Sequence, residues 1–344
     1  AGWWRAAVWP LQAGAGELQL AVSLGALDVA FEPDGKGLAT VDEVPGRAYL
    51  WDVDADPRVA SWRAHAARVA SLVLLPDART VVTGGFSGEV RRWDLSRALP
   101  DAASVAGGDG EGRTWLAQPA RVRSVARSAS GVFVAAAGSF DAAVVFEAAS
   151  GARAAAIPVP SRSAVVDFGA DDTLWIGEVD GAVSRAERRA GWAATARWPS
   201  DRGEVLALLA WPDHLAVAHR RWVVAILDPR DGRVLRELPT DTAPFSLARS
   251  PDGRWLAVGT WSGTVDVWDT RDWTRAAALR GHARMVGGLD FSPDGRLLAS
   301  ASREGHVRVW EVGTWLWLGA TPSRPAGAES VKFLPDSRHV IVGA

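Results

Sequence analysis

The stretch that decides the fold is SPDGRLLASASREGHVRVWE, residues Ser292 to Glu311. A proline-aspartate-glycine turn precedes two runs in which apolar and polar residues alternate, and a tryptophan closes the second run. Forty-two residues earlier the chain reads SPDGRWLAVGTWSGTVDVWD, Ser250 to Asp269, with the same turn, alternation and tryptophan. The stretch is therefore one copy of a repeat, and the period of a repeat limits the possible architectures.

The repeat extends along the whole chain. The turn prolines are Pro33, Pro76, Pro212, Pro251, Pro293 and Pro335. Their spacings are 43, 136, 39, 42 and 42 residues, and the long spacing holds two degenerate copies, Arg121 to Gly151 with SASG in the turn and Ala164 to Gly191 with GADD. The 344 residues thus divide into eight units of about 43, with seven as the alternative if one unit is misread.

Each unit has the pattern of four β-strands. In the best copy the predicted strands are Val286 to Phe291, Leu297 to Ser302, His306 to Val312 and Thr314 to Ala320. Period-two alternation indicates strands, and proline-aspartate indicates a turn because proline fixes φ and aspartate can bond its own backbone. Repeats of this length and content predict an all-β protein, a β-propeller of four-stranded antiparallel blades.

The two ends of the sequence complete one unit. FLPDSRHVIVGA, Phe333 to Ala344, aligns with FSPDGRLLASAS and stops after a second strand. The N-terminal WWRAAVWPL places Trp9 where Trp310 lies, and ELQLAV follows as a fourth strand. We therefore predict a single propeller domain over residues 1–344, closed by a blade from about 1–24 plus 325–344, which leaves no free sheet edge there.

Several motifs at fixed offsets resemble the WD-repeat (Trp-Asp repeat) β-propeller family. They are Gly281-His282, the SPDG turn, and the closing pairs Trp51-Asp52, Trp93-Asp94 and Trp268-Asp269, with Trp310-Glu311 as a near match. The pattern is strong in the second, sixth and seventh units, whereas the fourth and fifth units lack the closing tryptophan.

The resemblance implies a buried network in the best copies. In the family a third-strand tryptophan bonds a second-strand hydroxyl, which bonds the histidine of the Gly-His pair. The offsets assign these roles to Trp310, Ser302 and His282, with Glu304 where an aspartate is usual. In the second unit His65 and Trp93 have no such partner because Gly85 takes the hydroxyl position. We expect these residues to be structural, since buried polar atoms without partners are costly.

Composition and motifs exclude several classes of site. The chain has no cysteine, a formal charge of -2 and no apolar run of membrane-spanning length, so thiolate sites, nucleic acid and membrane partners are not expected. No catalytic or phosphate-binding template matches, and the glycine-rich GGDGEG reads as a loop. Asp52, Asp54 and Asp56 begin like a calcium loop, but Pro57 replaces its glycine. We expect no catalytic residue, metal or cofactor.

Candidate binding residues follow from the repeat and the resemblance. In WD-repeat proteins the loops that join fourth to first and second to third strands emerge on one side, the top face, where partners commonly bind. The position before the first strand and the position seven before the closing tryptophan hold Arg68, Phe86, Arg121, Arg162, Arg220, Trp261, Met285 and Arg303. Arginine and aromatic residues are enriched at interface hot spots. Arginine is also the default cation here, because lysine occurs only at Lys36 and Lys332.

The sequence therefore predicts a non-enzymatic scaffold for a protein or peptide partner, with an acidic segment as the candidate. Two alternatives stay open: a propeller hydrolase or quinone-dependent dehydrogenase with an axial site, and a purely structural spacer. The sequence favours a monomer or one part of a larger chain, in the cytoplasm rather than exported.

Overall fold

The structure is a computed structural model of the 344-residue chain. It describes residues 113–320 except 118, 119 and 170, and outside that range residues 6–10, 18–20, 26–31, 37–42, 47–52, 60–63, 65–66, 69–76, 80–94, 328, 330–333, 337 and 339–343. These residues form 32 β-strands and one short 3-10 helix, Arg188–Ala190. No helix in the described part is long and apolar enough to cross a membrane.

The strands form eight four-stranded sheets, which confirms the all-β class. Sheets 1 to 7 each take four consecutive strands, and the terminal sheet takes two strands from each end of the chain. The first half of the strands are β1 (Ala6–Pro10), β2 (Leu18–Leu20), β3 (Ala26–Phe31), β4 (Gly37–Asp42), β5 (Arg47–Asp52), β6 (Ala60–Arg63), β7 (Val69–Leu74), β8 (Thr80–Gly85), β9 (Glu89–Asp94), β10 (Arg113–Ala117), β11 (Val122–Arg127), β12 (Phe133–Gly138), β13 (Ala142–Glu147), β14 (Arg153–Pro158), β15 (Ser163–Phe168) and β16 (Leu174–Glu178). The second half are β17 (Val183–Glu187), β18 (Ala193–Trp198), β19 (Val205–Trp211), β20 (His214–His219), β21 (Val223–Leu227), β22 (Val234–Pro239), β23 (Pro244–Arg249), β24 (Trp255–Thr260), β25 (Val265–Asp269), β26 (Thr274–Leu279), β27 (Val286–Phe291), β28 (Leu297–Ser302), β29 (Val307–Glu311), β30 (Trp317–Ala320), β31 (Ser330–Phe333) and β32 (His339–Gly343).

The chain divides into two compact units. The central unit, residues 45–47 and 62–239, holds sheets 2 to 5, which are β7–β10, β11–β14, β15–β18 and β19–β22. The terminal unit, residues 1–44, 48–61 and 240–344, holds most of sheet 1 (β3–β6), sheet 6 (β23–β26), sheet 7 (β27–β30) and the terminal sheet.

Within each unit, neighbouring sheets bury their apolar faces against each other. In the central unit Phe133 of sheet 3 packs with Leu174 of sheet 4, and Trp175 of sheet 4 packs with Leu215 of sheet 5. In the terminal unit sheet 7 packs on both sheet 6 and the terminal sheet. Second strands such as β12 and β24 are buried at every residue, whereas fourth strands such as β26 are mostly exposed. The apolar alternation of the sequence is thus explained by burial between sheets.

The predicted turn chemistry is present in strong and degenerate copies alike. In the SPDG turn of sheet 7, the Ser292 hydroxyl donates to Asp294 at 2.6 Å and accepts the Leu297 N–H at 2.9 Å. In the SASG turn of sheet 3, the Ser128 hydroxyl accepts the Phe133 N–H at 3.1 Å. Gly295 and Gly131 have φ of 72° and 70°, a left-handed conformation that glycine adopts without a steric penalty.

A second repeated position accounts for part of the tryptophan content. Trp192, Trp273 and Trp315 each precede a fourth strand and have φ of 63°, 62° and 58°. A bulky residue is disfavoured there. Ring packing offsets this cost: the Trp315 ring lies edge-on to Trp255 at 5.1 Å, and the Trp192 ring lies edge-on to Phe133 at 5.0 Å.

The terminal sheet has the strand order β2-β1-β32-β31. Val8 pairs with Ile341 and Trp9 with Val340 in antiparallel register. The prediction that strands from both ends share one sheet is therefore confirmed.

The predicted strands of sheet 7 need one correction. The first two have the predicted bounds, but the third ends at Glu311 and the fourth begins at Trp317 rather than Thr314. The backbone between them forms a turn in which the Trp315 N–H donates to the Glu311 carbonyl at 2.8 Å. Thr314 therefore belongs to the turn.

Candidate functional site

The predicted buried network exists in sheet 7, but its serine was wrongly assigned. The Ser300 hydroxyl lies 2.8 Å from His282 Nε2 and accepts the Trp310 indole N–H at 3.0 Å. Trp310 pairs with Leu298 across the strands, so the hydroxyl it reaches is the diagonal neighbour two residues on, Ser300. Ser302 lies at the strand end and donates to the Arg284 carbonyl at 2.9 Å.

The same two-residue error applies to sheet 2. Trp93 pairs with Val81, and its indole N–H donates to Thr83 Oγ1 at 2.9 Å. His65 Nε2 lies 2.8 Å from the same hydroxyl oxygen. Sheet 2 therefore has the complete network, and Gly85 is not its hydroxyl position.

Both histidines have a pKa below the ordinary value. Burial, together with the nearby Arg91, lowers the pKa of His65 to about 4. Burial also lowers the pKa of His282, although its Nδ1 lies 2.6 Å from Glu304 Oε1 and this contact opposes the shift. Each imidazole has a hydrogen-bond partner at both ring nitrogens, which fits a structural role in its sheet.

Sheet 4 contains a charged group in place of this network. The Glu178 side chain is fully buried and accepts hydrogen bonds from the Ser184 hydroxyl at 2.7 Å and from Arg197 Nε at 3.1 Å. Arg197 also donates to Asp180 at 2.5 Å. A buried carboxylate needs such partners, because an unpaired charge is strongly disfavoured.

The two positions predicted for binding lie at one end of each sheet, which we call the top end. The residue after the second strand donates its backbone N–H to the residue before the first strand. These bonds join Val179 to Arg162, Arg220 to Glu204 and Trp261 to Ala243 at 2.9 Å, and Arg303 to Met285 at 3.0 Å. The repeat alignment thus found residues that are neighbours in space.

In the central unit, two sheets contribute an arginine–aromatic pair. The Arg121 guanidinium lies 5.0 Å from the centre of the Phe86 ring. Arg121 and Arg162 are exposed, and neither has an ion-pair partner among the described residues. Arg68 lies outside the described residues.

The Arg220 guanidinium already has an ion-pair partner within the chain. It donates to Glu204 Oε2 at 2.8 Å, and Arg123 donates to Glu204 Oε1 at 2.8 Å. Burial raises the pKa of Glu204, but the hydrogen bonds from both arginines outweigh it and hold the pKa below its usual value. Arg123 was missed from the sequence, although it lies two residues after Arg121 and alternate strand residues share a face.

In the terminal unit, the predicted residues divide by exposure. Trp261 is 54 % exposed, and its ring lies 5.5 Å from that of Phe245, a residue that the repeat alignment did not select. Arg303 is also exposed. Met285 is only 7 % exposed, so its side chain offers little surface to a partner. The Met285 backbone lies at the top end of sheet 7, whereas its side chain is buried.

The described residues contain no group of three histidine, cysteine, aspartate or glutamate side chains placed to hold a metal ion.

Comparison with known proteins identifies the repeat. The family model "WD domain, G-beta repeat" matches residues 57–94, 232–269 and 273–311, which are the units where the sequence pattern is strongest. The crystal structure of the computationally designed Ika8 protein has a TM-score of 0.76 to this chain, with 16% identity over 93% of this chain and 96% of that chain. At this identity the likeness concerns the fold alone, which is that of a β-propeller.

Proposed function

Because the chain carries WD repeats on a β-propeller fold, we propose that it is a non-catalytic scaffold that binds an acidic segment of a protein partner at the top ends of its sheets. The observation that carries the proposal is the contact between the exposed Arg121 guanidinium and the half-buried Phe86 ring, together with the exposed Arg162 at the equivalent position of the next sheet.

The side chains suit a carboxylate ligand. Guanidinium groups donate two parallel hydrogen bonds to a carboxylate, which makes them stronger partners for acidic residues than a point charge. The Phe86 ring supports the Arg121 guanidinium at 5.0 Å, so less side-chain freedom is lost when a ligand binds.

The charge distribution favours a short acidic segment over an extended polyanion. The chain has a formal charge of -2, and Glu204 neutralises much of the charge of Arg123 and Arg220. Among the predicted top-end arginines of the central unit that the structure describes, Arg121 and Arg162 thus have no acidic partner, whereas Arg220 has one. A local field of this kind attracts a ligand with a few carboxylates.

The test is selection of a random peptide library on the immobilised full chain, followed by affinity measurement of a selected peptide. We expect selected peptides to be rich in Asp and Glu. The double variant R121E/R162E should bind them at least about tenfold more weakly, with a smaller dependence on salt. The matched control is R153E/R233E, which reverses two exposed arginines that lie away from the top ends.

Selected peptides without acidic residues, or equal binding by R121E/R162E and the control, would overturn the proposal. Circular dichroism of both variants checks that each remains folded, which is expected because exposed positions carry little stability.

A further inference from the structure

The fourth strand of sheet 7 presents large apolar side chains to solvent. Leu316, Trp317 and Leu318 are 61 %, 57 % and 55 % exposed. The three are consecutive, and β30 lies at the edge of its sheet, with β29 as its neighbour. An exposed apolar cluster on a strand edge needs an explanation, because scattered single apolar residues are the usual surface pattern.

The neighbouring sheet shows what this position normally holds. In sheet 6 Trp268 pairs with Arg275, and in sheet 7 Trp310 pairs with Trp317, so Arg275 and Trp317 are equivalent. Leu318 likewise corresponds to Ala276. Sheet 6 therefore has an arginine and an alanine where sheet 7 has a tryptophan and a leucine.

The third strands differ in the same way. In sheet 6, Asp266 Oδ1 accepts a hydrogen bond from Arg275 Nη1 at 3.4 Å, which links the outer two strands. At the equivalent place in sheet 7, the Arg308 guanidinium lies 5.7 Å from the centre of the Trp317 ring. The cross-strand charge pair of one sheet is thus an arginine–ring contact in the other.

Edge strands normally carry residues that prevent pairing with another chain, such as charges and proline. Outer strands in the central unit follow this rule, with Arg153 and Pro158 in β14, Arg197 in β18, and Arg236, Glu237 and Pro239 in β22. Among the fourth strands whose side chains are described, β30 has neither a charged residue nor proline. Its outward backbone groups are therefore open to pairing.

We propose that the outer edge of sheet 7 is a second binding surface, where an extended segment of a partner protein adds as a fifth strand beside β30. Successive strand residues point to opposite faces of the sheet. Trp317 therefore offers an apolar contact on one face of the new strand, and Leu318 offers one on the other face. The segment that fits has consecutive apolar, β-branched or aromatic residues at its centre. Backbone hydrogen bonds provide affinity, and the two side-chain contacts provide selectivity.

The size of the patch favours a strand-length segment over a second copy of this chain. A stable interface between globular proteins buries about 800 Å² on each partner, over roughly 20 residues. The patch has three large apolar side chains, two on a strand of 4 residues and one, Leu316, directly before it. An extended peptide can use the whole of such an edge, whereas a second globular chain would leave most of its facing surface without contacts.

The probe is a fluorescent peptide, Lys-Thr-Val-Ile-Val-Ile-Thr-Lys, with a counterpart in which both isoleucines are proline and strand pairing is blocked. We expect the first peptide to bind the full chain and the proline peptide not to bind. The variants Leu318→Lys and Trp317→Arg should weaken binding at least about tenfold, because each places a guarding charge on the edge. The control Ala276→Lys makes the same change at the equivalent position of sheet 6 and should leave binding unchanged.

Hydrogen exchange gives an independent readout. The bound peptide should slow exchange of backbone amides in 317–320 and leave those of 274–279 unchanged. The top-end variant R121E/R162E should bind this peptide normally, which separates the two proposals.

Three results would overturn the inference: equal binding of both peptides, equal loss in Ala276→Lys and Leu318→Lys, or no change in amide exchange. Light scattering that shows a dimer abolished by Leu318→Lys would assign the edge to a second copy instead. Binding to phosphatidylcholine vesicles that is lost in Trp317→Arg would assign it to a lipid surface.

Discussion

Sheets 4 and 7 have the same strand order but hold their strands with different polar groups. Leu174 pairs with Ala186 in sheet 4, as Leu298 pairs with Trp310 in sheet 7. In that alignment Ile176 stands for Ser300, Ala186 for Trp310 and Glu178 for Ser302. Sheet 4 thus replaces the hydroxyl and indole of the network with apolar residues and adds a buried carboxylate at the strand end.

The comparison shows that the serine and the tryptophan of the network are replaced together, both by apolar residues. Removing one partner from a buried hydrogen bond leaves an unsatisfied group, whereas replacing both partners with apolar residues can be nearly neutral. Sheet 4 has no orphaned hydroxyl at Ile176. The stability of sheet 4 depends instead on Glu178, whose buried charge is paired with that of Arg197.

The first strands of the two sheets differ in a similar way. Asp167 accepts the backbone N–H of Ala210 at 3.1 Å, and Asp290 accepts that of Phe333 at 2.8 Å. Asp290 also receives the Lys332 ammonium at 3.0 Å, whereas Leu209 stands at the position equivalent to Lys332. Without a cation, burial raises the pKa of Asp167 to about 6.

Replacing Glu178 with alanine should have the greatest effect on stability. The change leaves Ser184 and the Arg197 guanidinium without their buried partner, which should lower the free energy of unfolding by about 3–5 kcal/mol. The free energy of unfolding is measured by urea denaturation, with tryptophan fluorescence as the signal. Asp180→Ala removes only the exposed partner of Arg197 and should cost less than about 1 kcal/mol. Similar losses in the two variants would mean that the charge of Glu178 is not what holds sheet 4.

In sheet 7, His282→Ala should lower the free energy of unfolding by about 1–3 kcal/mol, because Ser300 loses a buried hydrogen-bond partner. The double variant His282→Ala/Ser300→Ala should cost less than the sum of the single changes, since both remove the same bond. A double-mutant cycle from urea unfolding gives the coupling energy. Strict additivity would show that the two side chains do not interact.

The Asp167 carboxyl should make stability depend on pH. Because its pKa in the folded chain, about 6, lies above the ordinary value of 3.8, its contribution is fully present below about pH 4 and is lost as pH rises through 6. Allowing for partial exposure, the loss should be about 1–2 kcal/mol.

Leu209→Lys places a cation where sheet 7 has Lys332. It should lower the Asp167 pKa and reduce the loss of stability between pH 4 and 6 relative to the parent. Thermal unfolding across this pH range measures the difference. Parallel pH profiles for parent and variant would indicate that Asp167 does not titrate there.

The smallest effect should distinguish two serines of β28. Ser302→Ala removes a partly buried bond to the Arg284 carbonyl and a longer one from the Glu304 N–H, and it should cost about 0.5–1 kcal/mol. Ser300→Ala should cost about 1–3 kcal/mol, because it leaves His282 Nε2 and the Trp310 indole N–H without a partner. The reverse order would restore the sequence-based assignment of Ser302.

Local features of the fold were predictable from the sequence. The SPDG and SASG turns depend on a serine hydroxyl and a glycine within a few residues, so their chemistry is visible in the chain itself. The same holds for the strand bounds of β27 and β28, where alternation is regular.

Features that depend on register or on distant residues were not predictable. The choice of Ser300 over Ser302 requires the pairing of Leu298 with Trp310, which no local pattern specifies. Arg123 reaches Glu204 across 81 residues of sequence. The ion pair of Arg220 with the same Glu204 makes Arg220 less available than its exposure suggests. The burial of Met285 likewise depends on packing around the start of β27.

The terminal sheet has a consequence for the order of synthesis. Pro10 of β1 pairs with His339 of β32, so β1 leaves the ribosome more than 300 residues before its partner. At about 5 to 20 residues per second, this interval is on the order of 15 to 65 s. During that time β1 and β2 lack the strands that complete their sheet. Chaperones that bind nascent chains therefore have a defined window in which to protect this segment, and that window closes only when β32 has emerged.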